Sequence, residues 1–357
     1  MSPEAPAVSS PLGKLPLVTL YLTDRCNSRC VTCDYWRHGR ADMSLAAVSR
    51  LLPSFAQLHT QMVLLSGGEP LLNPEWPAIA RLLRNNGLKV WLLTSGLALA
   101  KHARHAAELF DRITVSLDGT DPETYAAIRG LDAFHTVCGG ILAAAAHGAP
   151  ASIRVTLQRA NYRQLPAFVD LAKKLGAAQV SFLAVDVSNP HAFGRTDDYG
   201  SDLALRSEDL PVFEQILTAL ERDHPEDFRS GFIAESPQKL RRIHQYFAAI
   251  QGLQPYPPVR CNAPEFSAVI GATGRVQPCF FIAGPADVRL SETGTRLGGD
   301  LPGVLNSSAM SALRTAIRDG RRAECKTCVC SMWRDPRSFD TEYFQKVSSE
   351  ILAMDLQ

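Results

Sequence analysis

The stretch Leu17–Cys33 reads LVTLYLTDRCNSRCVTC and joins an apolar run to three cysteines. The run Leu17–Leu22 predicts a buried strand, because continuous apolar residues are typical of strands that are covered on both faces. Cys26, Cys30 and Cys33 then follow with the spacing CxxxCxxC on a loop. Three thiols within eight residues favour a metal centre over thiols packed singly. The stretch therefore predicts the first strand of a sheet and a metal site at its carboxyl end.

Similar apolar runs recur along the chain up to about residue 190. Five more strands are predicted at Gln61–Leu65, Lys89–Leu93, Arg112–Leu117, Ser152–Leu157 and Gln179–Leu183. Helical stretches with apolar residues at helical spacing separate them, as at Leu45–Leu58, Trp76–Asn86 and Leu99–Leu109. Six βα units in regular alternation indicate an α/β fold with a parallel sheet and right-handed crossovers.

Composition excludes several classes of function. The chain has 357 residues and a formal net charge of +1, with 46% hydrophobic and 20% charged residues. A near-neutral chain without blocks of like charge argues against nucleic-acid binding. No apolar stretch approaches the length of a membrane span, and residues 1–16 lack the features of a signal peptide. Nine cysteines, an odd number, argue against a secreted disulfide framework, so we expect reduced thiols and a cytoplasmic location.

Five further cysteines lie near the other end of the chain. A proline break at Gln254–Arg260 precedes a predicted hairpin of Ser267–Ile270 and Arg275–Gln277, which brings Cys261 and Cys279 together. Cys325 and Cys328 form a CxxC pair, followed by Cys330. Four thiolates from two such elements can ligate zinc or an iron–sulfur cluster. Cys138 lies alone in an apolar run and is predicted to be a packed thiol.

Small and polar residues follow three of the predicted strands. They are Ser66, Gly67, Gly68 and Glu69 after the second strand, Thr94 and Ser95 after the third, and Ser116 and Asp118 after the fourth. Carboxyl ends of parallel strands are where α/β barrels hold ligand groups, so we expect these residues to lie near the first three cysteines. Each motif alone is also a common turn, but their order on successive strands favours a ligand site.

Taken together, these motifs resemble the radical S-adenosylmethionine (radical SAM) superfamily. The resemblance implies a partial (β/α)6 TIM-like barrel with a small C-terminal β-hairpin/helix domain for an auxiliary cluster. It implies that Cys26, Cys30 and Cys33 hold a [4Fe–4S] cluster whose open iron binds S-adenosylmethionine (SAM). A single electron then cleaves SAM to a 5′-deoxyadenosyl radical, which abstracts hydrogen from a substrate. The alternative is a three-cysteine zinc site completed by His38.

The resemblance also assigns the contacts to SAM. It implies that Gly67, Gly68 and Glu69, with Ser66, hold the SAM amino group. Ser116 and Asp118 would lie close to the ribose and the methionine carboxylate, with Thr94 and Ser95 also binding the cofactor. Arg129 is similar to a family Arg-Gly pair that orients the loop after the fourth strand. The family usually has an aromatic residue just before the third cysteine, where this chain has Thr32, so Tyr35 or Trp36 is expected to face the adenine instead.

The spacing Cys261-x12-Gly274-x4-Cys279 is similar to the signature of the SPASM/twitch extension of radical SAM enzymes. The shorter twitch form implies one auxiliary [4Fe–4S] cluster on Cys261, Cys279, Cys325 and Cys328. Cys330 is then either a packed thiol or a replacement ligand, and a zinc ribbon is the alternative for the whole set. Enzymes of the 2-deoxy-scyllo-inosamine dehydrogenase type share this arrangement.

The predicted organisation runs from a flexible tail (1–16) to a terminal helix (336–357). Between them lie a radical SAM partial barrel (17–205), a helical connector (206–254) and a twitch-like auxiliary-cluster domain (255–335). Only sixteen residues precede the first strand, which favours a small-molecule substrate over a peptide bound through an N-terminal leader-binding module.

We therefore expect a polar metabolite such as an aminocyclitol, sugar or nucleoside to be dehydrogenated, epimerised or rearranged. The alternative is a peptide or protein maturase. Arg154, Asp186 and His191 are the candidate catalytic residues, since they lie on the fifth strand or follow the sixth. For Arg154 the alternative is a salt bridge inside the barrel. A flavodoxin or ferredoxin is the expected reductant, and neither nucleic acid nor membrane is an expected partner.

Overall fold

A computed structural model describes residues 11–189, 192–195, 201–288 and 300–335. Six parallel strands dominate it, and all six agree with the predicted ones to within one or two residues. They are β1 (Leu17–Thr23), β2 (Met62–Gly67), β3 (Lys89–Thr94), β4 (Arg112–Ser116), β5 (Ser152–Leu157) and β6 (Gln179–Ala184). The strands pair in sequence order, and the sheet is not closed, as in a partial barrel. The predicted fold class is therefore confirmed.

Helices cross over between these strands and cover the outer face of the sheet. The first seven are α1 (Tyr35–His38), α2 (Leu45–Gln57), α3 (Trp76–Asn85), α4 (Leu99–Leu109), α5 (Pro122–Arg129), α6 (Phe134–Ala146) and α7 (Leu165–Lys174). The connector holds α8 (Leu210–Asp223), α9 (Pro225–Arg229) and α10 (Pro237–Ile250). Sequence reasoning missed α5, which begins after Asp121, whose side chain accepts the Thr124 N–H, and ends at Gly130.

Alternate residues of each strand face opposite sides, and this decides where the core lies. Val18, Leu20 and Leu22 of β1 belong to one large apolar core together with the helices, as do the equivalent residues of the other five strands. The opposite, inner face carries mainly polar residues on β4–β6, including Ser116, Arg154 and Ser181, which are register partners. The fold therefore packs its helices outside and leaves a polar inner face.

The C-terminal part of the chain continues the same sheet. Its strands are β7 (Ser267–Ile270), β8 (Arg275–Gln277) and β9 (Ala286–Asp287), and its helices are α11 (Leu301–Leu305), α12 (Ser308–Arg318) and α13 (Ala323–Lys326). The hairpin of β7 and β8 forms as predicted. Sequence reasoning did not foresee that β7 pairs in parallel with β1, which makes one nine-stranded sheet.

Some predictions fall outside the described residues. These are residues 1–10 of the tail, His191, and the helix expected at Thr341–Met354 within 336–357. The boundaries proposed between domains stay predictions. Within the described part, no helix is long and apolar enough to cross a membrane.

Candidate functional site

The first three cysteines lie on the loop that leaves β1 at the carboxyl edge of the sheet. The loop folds on itself: the Ser28 N–H points at Cys26 Sγ (3.4 Å), and the Cys33 N–H donates to the Cys30 carbonyl (3.3 Å). The neighbouring chain also holds it, because the Arg29 N–H donates to the Arg129 carbonyl at 3.0 Å. The three thiols are therefore presented by a loop whose backbone is fixed from both sides.

Burial decides the chemistry of these thiols. Burial raises the pKa of the Cys26 thiol to about 11 and that of Cys33 to about 12, and it also raises the pKa of Cys30. The charges of Cys30 and Cys26 add to the rise of the pKa at Cys33. Three buried thiols need positive charge beside them to become thiolates, which is what a metal cluster supplies.

The grouping of side chains bears on the choice between zinc and a cluster. Among the described residues, no three His, Cys, Asp or Glu side chains are arranged to hold a single metal ion. Zinc draws its four ligands to within about 2.3 Å of one centre, whereas a cubane spreads its thiolates over separate irons. Three thiols on one short loop match a cubane, which takes three cysteines and leaves its fourth iron to an external ligand.

The C-terminus of α5 packs directly against the cysteine loop. At Gly130 φ is +72°, and a Cβ there would lie 2.3 Å from the Arg29 carbonyl oxygen, so this position requires glycine. Arg129 Nη1 donates to Asp118 Oδ2 at 3.1 Å, and both side chains are buried. Burial alone lowers the pKa of Arg129, but the neighbouring Cys30 and Asp118 raise it well above its ordinary value. A permanent positive charge thus lies beside Cys30.

Asp118 is fully engaged by protein groups. Besides Arg129, its carboxylate accepts the Thr156 N–H at 2.7 Å, and its carbonyl accepts Asn161 Nδ2 at 2.9 Å. Sequence reasoning expected Asp118 to face the SAM ribose, and the structure places it at the expected edge of the sheet. Its carboxylate orients Arg129 and the start of the loop after β5.

Two glycines, the last residue of β2 and the residue after it, pack closely against the cysteine loop. Gly67 has φ +121°, and a Cβ on it would lie 2.4 Å from the Thr23 carbonyl oxygen. A Cβ on Gly68 would lie 2.1 Å from the Arg25 carbonyl oxygen. The backbone of both loops therefore approaches more closely than any side chain allows, which is the physical reason for glycine at both positions.

Glu69 ties the ends of three neighbouring strands together. It is completely buried, and its carboxylate accepts from Thr94 Oγ1 at 2.8 Å and from the Ser95 N–H at 2.7 Å. Ser95 Oγ in turn donates to Asn27 Oδ1 at 3.1 Å, and Asn27 lies between the first two cysteines. The predicted motifs on β2 and β3 thus meet at the cysteine loop.

Aromatic side chains link this loop to the segment of Cys279 through ring contacts. Tyr35, which was predicted to face the adenine, meets the Tyr21 ring edge-on at 5.6 Å, and Tyr21 stacks on Phe280 at 6.5 Å. Burial raises the pKa of Tyr35 to about 12. Tyr21 thus contacts both Tyr35, which follows the first three cysteines, and Phe280, which follows Cys279.

The other five clustered cysteines line a single cavity of about 470 Å³, counting its open mouth. They are Cys261, Cys279, Cys325, Cys328 and Cys330, and the rest of the lining is mainly apolar, including Phe280, Phe281, Ile282 and Ile317. Burial raises the pKa of Cys279 to about 12 and that of Cys325 to about 11. The sequence grouped these cysteines correctly, and the structure adds Cys330 to the same cavity.

Asn262 closes this cavity by binding a distant segment. Its N–H donates to the Met332 carbonyl at 2.8 Å, and its side chain exchanges two hydrogen bonds with the Arg334 backbone. The ring of Trp333 packs under the guanidinium of Arg260 at 3.5 Å. Sequence reasoning missed Asn262, whose only signal is its position next to Cys261.

Arg154 extends from β5 onto the inner face, between Ser116 and Ser181. Among the described residues it has no ion-pair partner within 4 Å, and its buried Nε has no hydrogen-bond partner, so the alternative of a salt bridge is not found. The hydroxyl of the completely buried Ser181 also lacks a partner. Arg154 and Ser181 are thus available to a ligand on this face.

Glu235 is the acidic neighbour of Arg154 that sequence reasoning missed. Its carboxylate accepts the Phe182 N–H at 2.7 Å, at the edge of β6. Burial raises the pKa of Glu235, although the charges of Lys239 and Arg154 partly offset this. A short parallel bridge between Val180 and Ile233 carries Glu235 to this place.

Asp186 follows β6 as predicted but is engaged by protein groups. Its carboxylate accepts the N–H groups of Ser188 and Asn189 at 2.9 Å each and lies 3.5 Å from Arg195 Nη1. Its side chain is 2% exposed. Of the three candidate catalytic residues, only Arg154 therefore presents an unpaired polar group to the inner face within the described chain.

Comparisons with known proteins agree with these motifs. A family profile described as the Radical SAM superfamily matches residues 20–172. A probable GTP 3′,8-cyclase of Methanococcus maripaludis is 31% identical over 166 residues, which cover 44% of this chain and 55% of that protein. A PqqA peptide cyclase of Streptomyces rochei is 29% identical over 221 residues, covering 60% and 57%. The chain thus spans about half the length of the curated relatives it matches.

Solved structures share the fold over most of the chain. Streptococcus suis SuiB bound to the precursor peptide SuiA has a TM-score of 0.63 at 15% identity, covering 90% of this chain and 72% of that one. The anSMEcpe structure with bound AdoMet and the Cp18Cys peptide has a TM-score of 0.60 at 18% identity, covering 94% and 95%. The likeness of fold therefore extends well beyond residue 172, into the part that holds the second group of cysteines.

Proposed function

We propose that the chain is a radical SAM enzyme that acts on a small polar metabolite, because the Radical SAM superfamily profile matches residues 20–172. A [4Fe–4S] cluster and SAM are the cofactors of such a domain, as predicted. We assign the cluster to Cys26, Cys30 and Cys33, which share one fixed loop and leave the fourth position to an external ligand. The buried thiols, paired with the positive charge of Arg129, support this assignment.

When bound, the cluster supplies the electron that cleaves SAM to the 5′-deoxyadenosyl radical. The chain's own residues prepare the place where this happens. Gly67 and Gly68 bring backbone groups to the edge of the cysteine loop, and Ser66 and Ser116 add hydroxyls there. Glu69 and Asp118 fix the neighbouring strands and Arg129 through hydrogen bonds. We therefore assign SAM binding to this edge, with Glu69 and Asp118 as positioning residues.

We assign an auxiliary [4Fe–4S] cluster to the second group of cysteines. Cys261, Cys279, Cys325 and Cys328 are the four ligands suggested by spacing, and all line the apolar cavity. Their burial makes each thiol a weak acid unless it binds metal. Cys330 faces the same cavity and is the fifth candidate. A cluster there would accept the electron that the substrate radical gives up after hydrogen abstraction, which would complete a two-electron oxidation of the substrate.

We infer the class of substrate from the polar inner face of β4–β6. Arg154 has no ion-pair partner in the described chain, and it lies between two serines, Ser116 and Ser181. A half-buried guanidinium without a partner favours a substrate that brings an acceptor, such as a hydroxyl-rich or anionic metabolite. Dehydrogenation, epimerisation and rearrangement all suit such a substrate.

The test is anaerobic reconstitution followed by mass spectrometry of products from a panel of aminocyclitols, sugars and nucleosides. Once a substrate turns over, Arg154→Gln is expected to raise its KM about 10- to 100-fold, the value of a lost charge-assisted hydrogen bond. Formation of 5′-deoxyadenosine without substrate should stay at the level of the unmodified protein. Arg81→Gln, on the exposed face of α3, is the matched control. An unchanged KM in Arg154→Gln would remove this residue from the substrate site.

A second candidate function is maturation of a peptide or protein. One relative is a PqqA peptide cyclase, and the matched stretch covers 60% of this chain. The same assay decides between the two, with synthetic peptides added to the panel. Modification of a peptide, with no conversion of any metabolite, would favour the maturase.

The expected electron donor, a flavodoxin or ferredoxin, and the cytoplasmic location belong to the same proposal. Nine free cysteines and two oxygen-sensitive clusters suit a reducing compartment. Reduction of the reconstituted protein by a purified flavodoxin system, followed by formation of 5′-deoxyadenosine, would support this partner.

A further inference from the structure

Two short segments after β6, residues 186–189 and 192–195, reach the first cysteine loop. The Asp34 N–H donates to the Phe193 carbonyl at 2.9 Å. Arg195 Nη2 lies 3.5 Å from the Thr32 carbonyl oxygen. Thr32 and Asp34 are the immediate neighbours of Cys33, so these contacts hold the last part of the cysteine loop.

The same segments also hold the second group of cysteines. Asn189 Nδ2 donates to the Phe281 carbonyl at 2.8 Å, and the ring of Phe193 meets that of Phe281 edge-on at 5.6 Å. The Phe281 N–H in turn points at Cys279 Sγ (3.5 Å). Ser188 Oγ lies 2.9 Å from the hydroxyl of Thr327, which stands between Cys325 and Cys328. Both sides of the second cavity are therefore tied to these segments.

A buried ion pair joins the two segments to each other. Arg195 Nη1 lies 3.5 Å from Asp186 Oδ1, and each side chain is 2% exposed. Arg195 also donates to the Asp186 carbonyl and, at 3.2 Å, to that of Asn189. The Asp186 carboxylate accepts the Ser188 and Asn189 N–H groups. Removing the Asp186 carboxylate takes away the anionic partner of Arg195 and the acceptor of the Ser188 and Asn189 N–H groups. The loss of one partner of a buried ion pair is strongly destabilising for the local structure.

We propose that Asp186 and Arg195 are positioning residues that fix the two cysteine groups relative to each other. The role of both cysteine groups as cluster sites rests on the proposed function. The coupling of their positions through Asp186 and Arg195 does not. Asp186 was predicted from sequence to take a proton from the substrate; here it acts through the backbone of its own turn instead. The rate at which an electron passes from a substrate to the second site depends on the separation that Asp186 and Arg195 maintain.

The first test needs no metal. Hydrogen–deuterium exchange is measured on the metal-free full chain, unmodified and as Asp186→Asn. We expect about tenfold or more faster exchange in peptides covering both 31–36 and 279–283, because the loss of a buried pair is large on the scale of local opening. Peptides of β2 should exchange at the original rate, which shows that the variant is folded. Glu108→Gln, which breaks an exposed pair with Arg104, is the control and should change neither peptide.

Faster exchange confined to residues 186–195 would overturn the proposal. If Asp186→Asn does not fold, Asn189→Ala replaces it, since it keeps the ion pair and removes the side-chain bond to the Phe281 carbonyl. It should speed exchange at 279–283 and leave 31–36 unchanged, and no change at either place would overturn the proposal.

The second test uses the reconstituted protein and pulsed EPR between the two reduced clusters. Asp186→Asn should broaden the distribution of inter-cluster distances compared with Glu108→Gln. An unchanged distribution overturns the positioning role even where exchange is faster. If the unmodified chain binds no iron, the proposed function fails. The exchange experiment still decides whether Asp186 and Arg195 couple the two cysteine groups.

Discussion

The two cysteine groups are built in opposite ways. The first places Cys26, Cys30 and Cys33 on one short loop, and hydrogen bonds from the backbone after β2 and α5 hold that loop. The second gathers five cysteines from three separated stretches of chain around an apolar cavity. The first group is thus ordered by local backbone geometry and surrounded by polar motifs. The second depends on long-range packing and is surrounded by aromatic and aliphatic side chains.

Under the proposed function, this difference corresponds to two different tasks. A site that must admit a polar ligand such as SAM needs preformed hydrogen-bonding groups at its rim, and the ends of β2–β4 provide them. A site that handles only electrons gains from an apolar lining, which limits the access of water to the metal. Variants that damage one site and spare the other test this division.

The largest effect is expected from replacing Cys26, Cys30 and Cys33 together with alanine. Iron should fall from about eight to about four per chain, and formation of 5′-deoxyadenosine should cease, because nothing remains to hold the open cluster. Iron analysis and chromatography of the SAM products measure both. Persistent SAM cleavage in this variant would refute the assignment of the first site.

The next effect is expected from Cys325→Ala combined with Cys328→Ala. This variant should again lose about four irons per chain, but it should keep SAM cleavage uncoupled from substrate, since the first loop is untouched. Product formation should drop below detection. Unchanged turnover would mean that the second site only supports the fold.

A smaller effect is expected from Gly68→Ala. The added Cβ would lie 2.1 Å from the Arg25 carbonyl oxygen, so the two loops must move apart. We expect a loss of about 1–3 kcal/mol in the free energy of unfolding and weaker SAM binding, with the iron of the second site retained. Gly139→Ala is the matched control, because no atom lies within 4 Å of its added Cβ and alanine favours its helix. Equal SAM affinity in both variants would contradict the close approach.

The smallest effect is expected from Cys330→Ser. With Cys261, Cys279, Cys325 and Cys328 as ligands, serine at 330 should leave the iron content and the EPR spectrum of the second site nearly unchanged. Cys325→Ser, measured in parallel, should lower the iron content. If Cys330→Ser lowers the iron content and Cys325→Ser does not, Cys330 is the fourth ligand in place of Cys325. Spacing alone would then have misassigned this ligand.

Most of the barrel could be predicted because it depends on local patterns. The continuous apolar runs of β1–β6 and the ends of α4 follow directly from residue type and spacing. The grouping of the cysteines was equally accessible, since metal ligands recur at characteristic intervals. The glycines of the β2 loop were recognised by motif, and their close contact with the cysteine loop explains the motif physically.

What could not be predicted depends on contacts between distant residues. The sequence indicates polar groups at Asp118 and Asp186 but not that Arg129 and Arg195 occupy their carboxylates. Glu235 reaches the inner face only because residues 232–235 pair with the edge of β6. The contact of Tyr35 with Tyr21 is likewise set by tertiary packing rather than by propensity.

The pairing of β1 with β7 also has a consequence for how the molecule is made. Leu17 and Ser267 are register partners, although about 250 residues separate them along the chain. We expect this non-local strand pair to form late in folding, because the chain between the two strands must lose conformational entropy before the contact stabilises it. During synthesis β1 therefore keeps one unpaired edge until the C-terminal part has left the ribosome. Delivery of metal to the loop after β1 is best timed after translation, when that edge is covered.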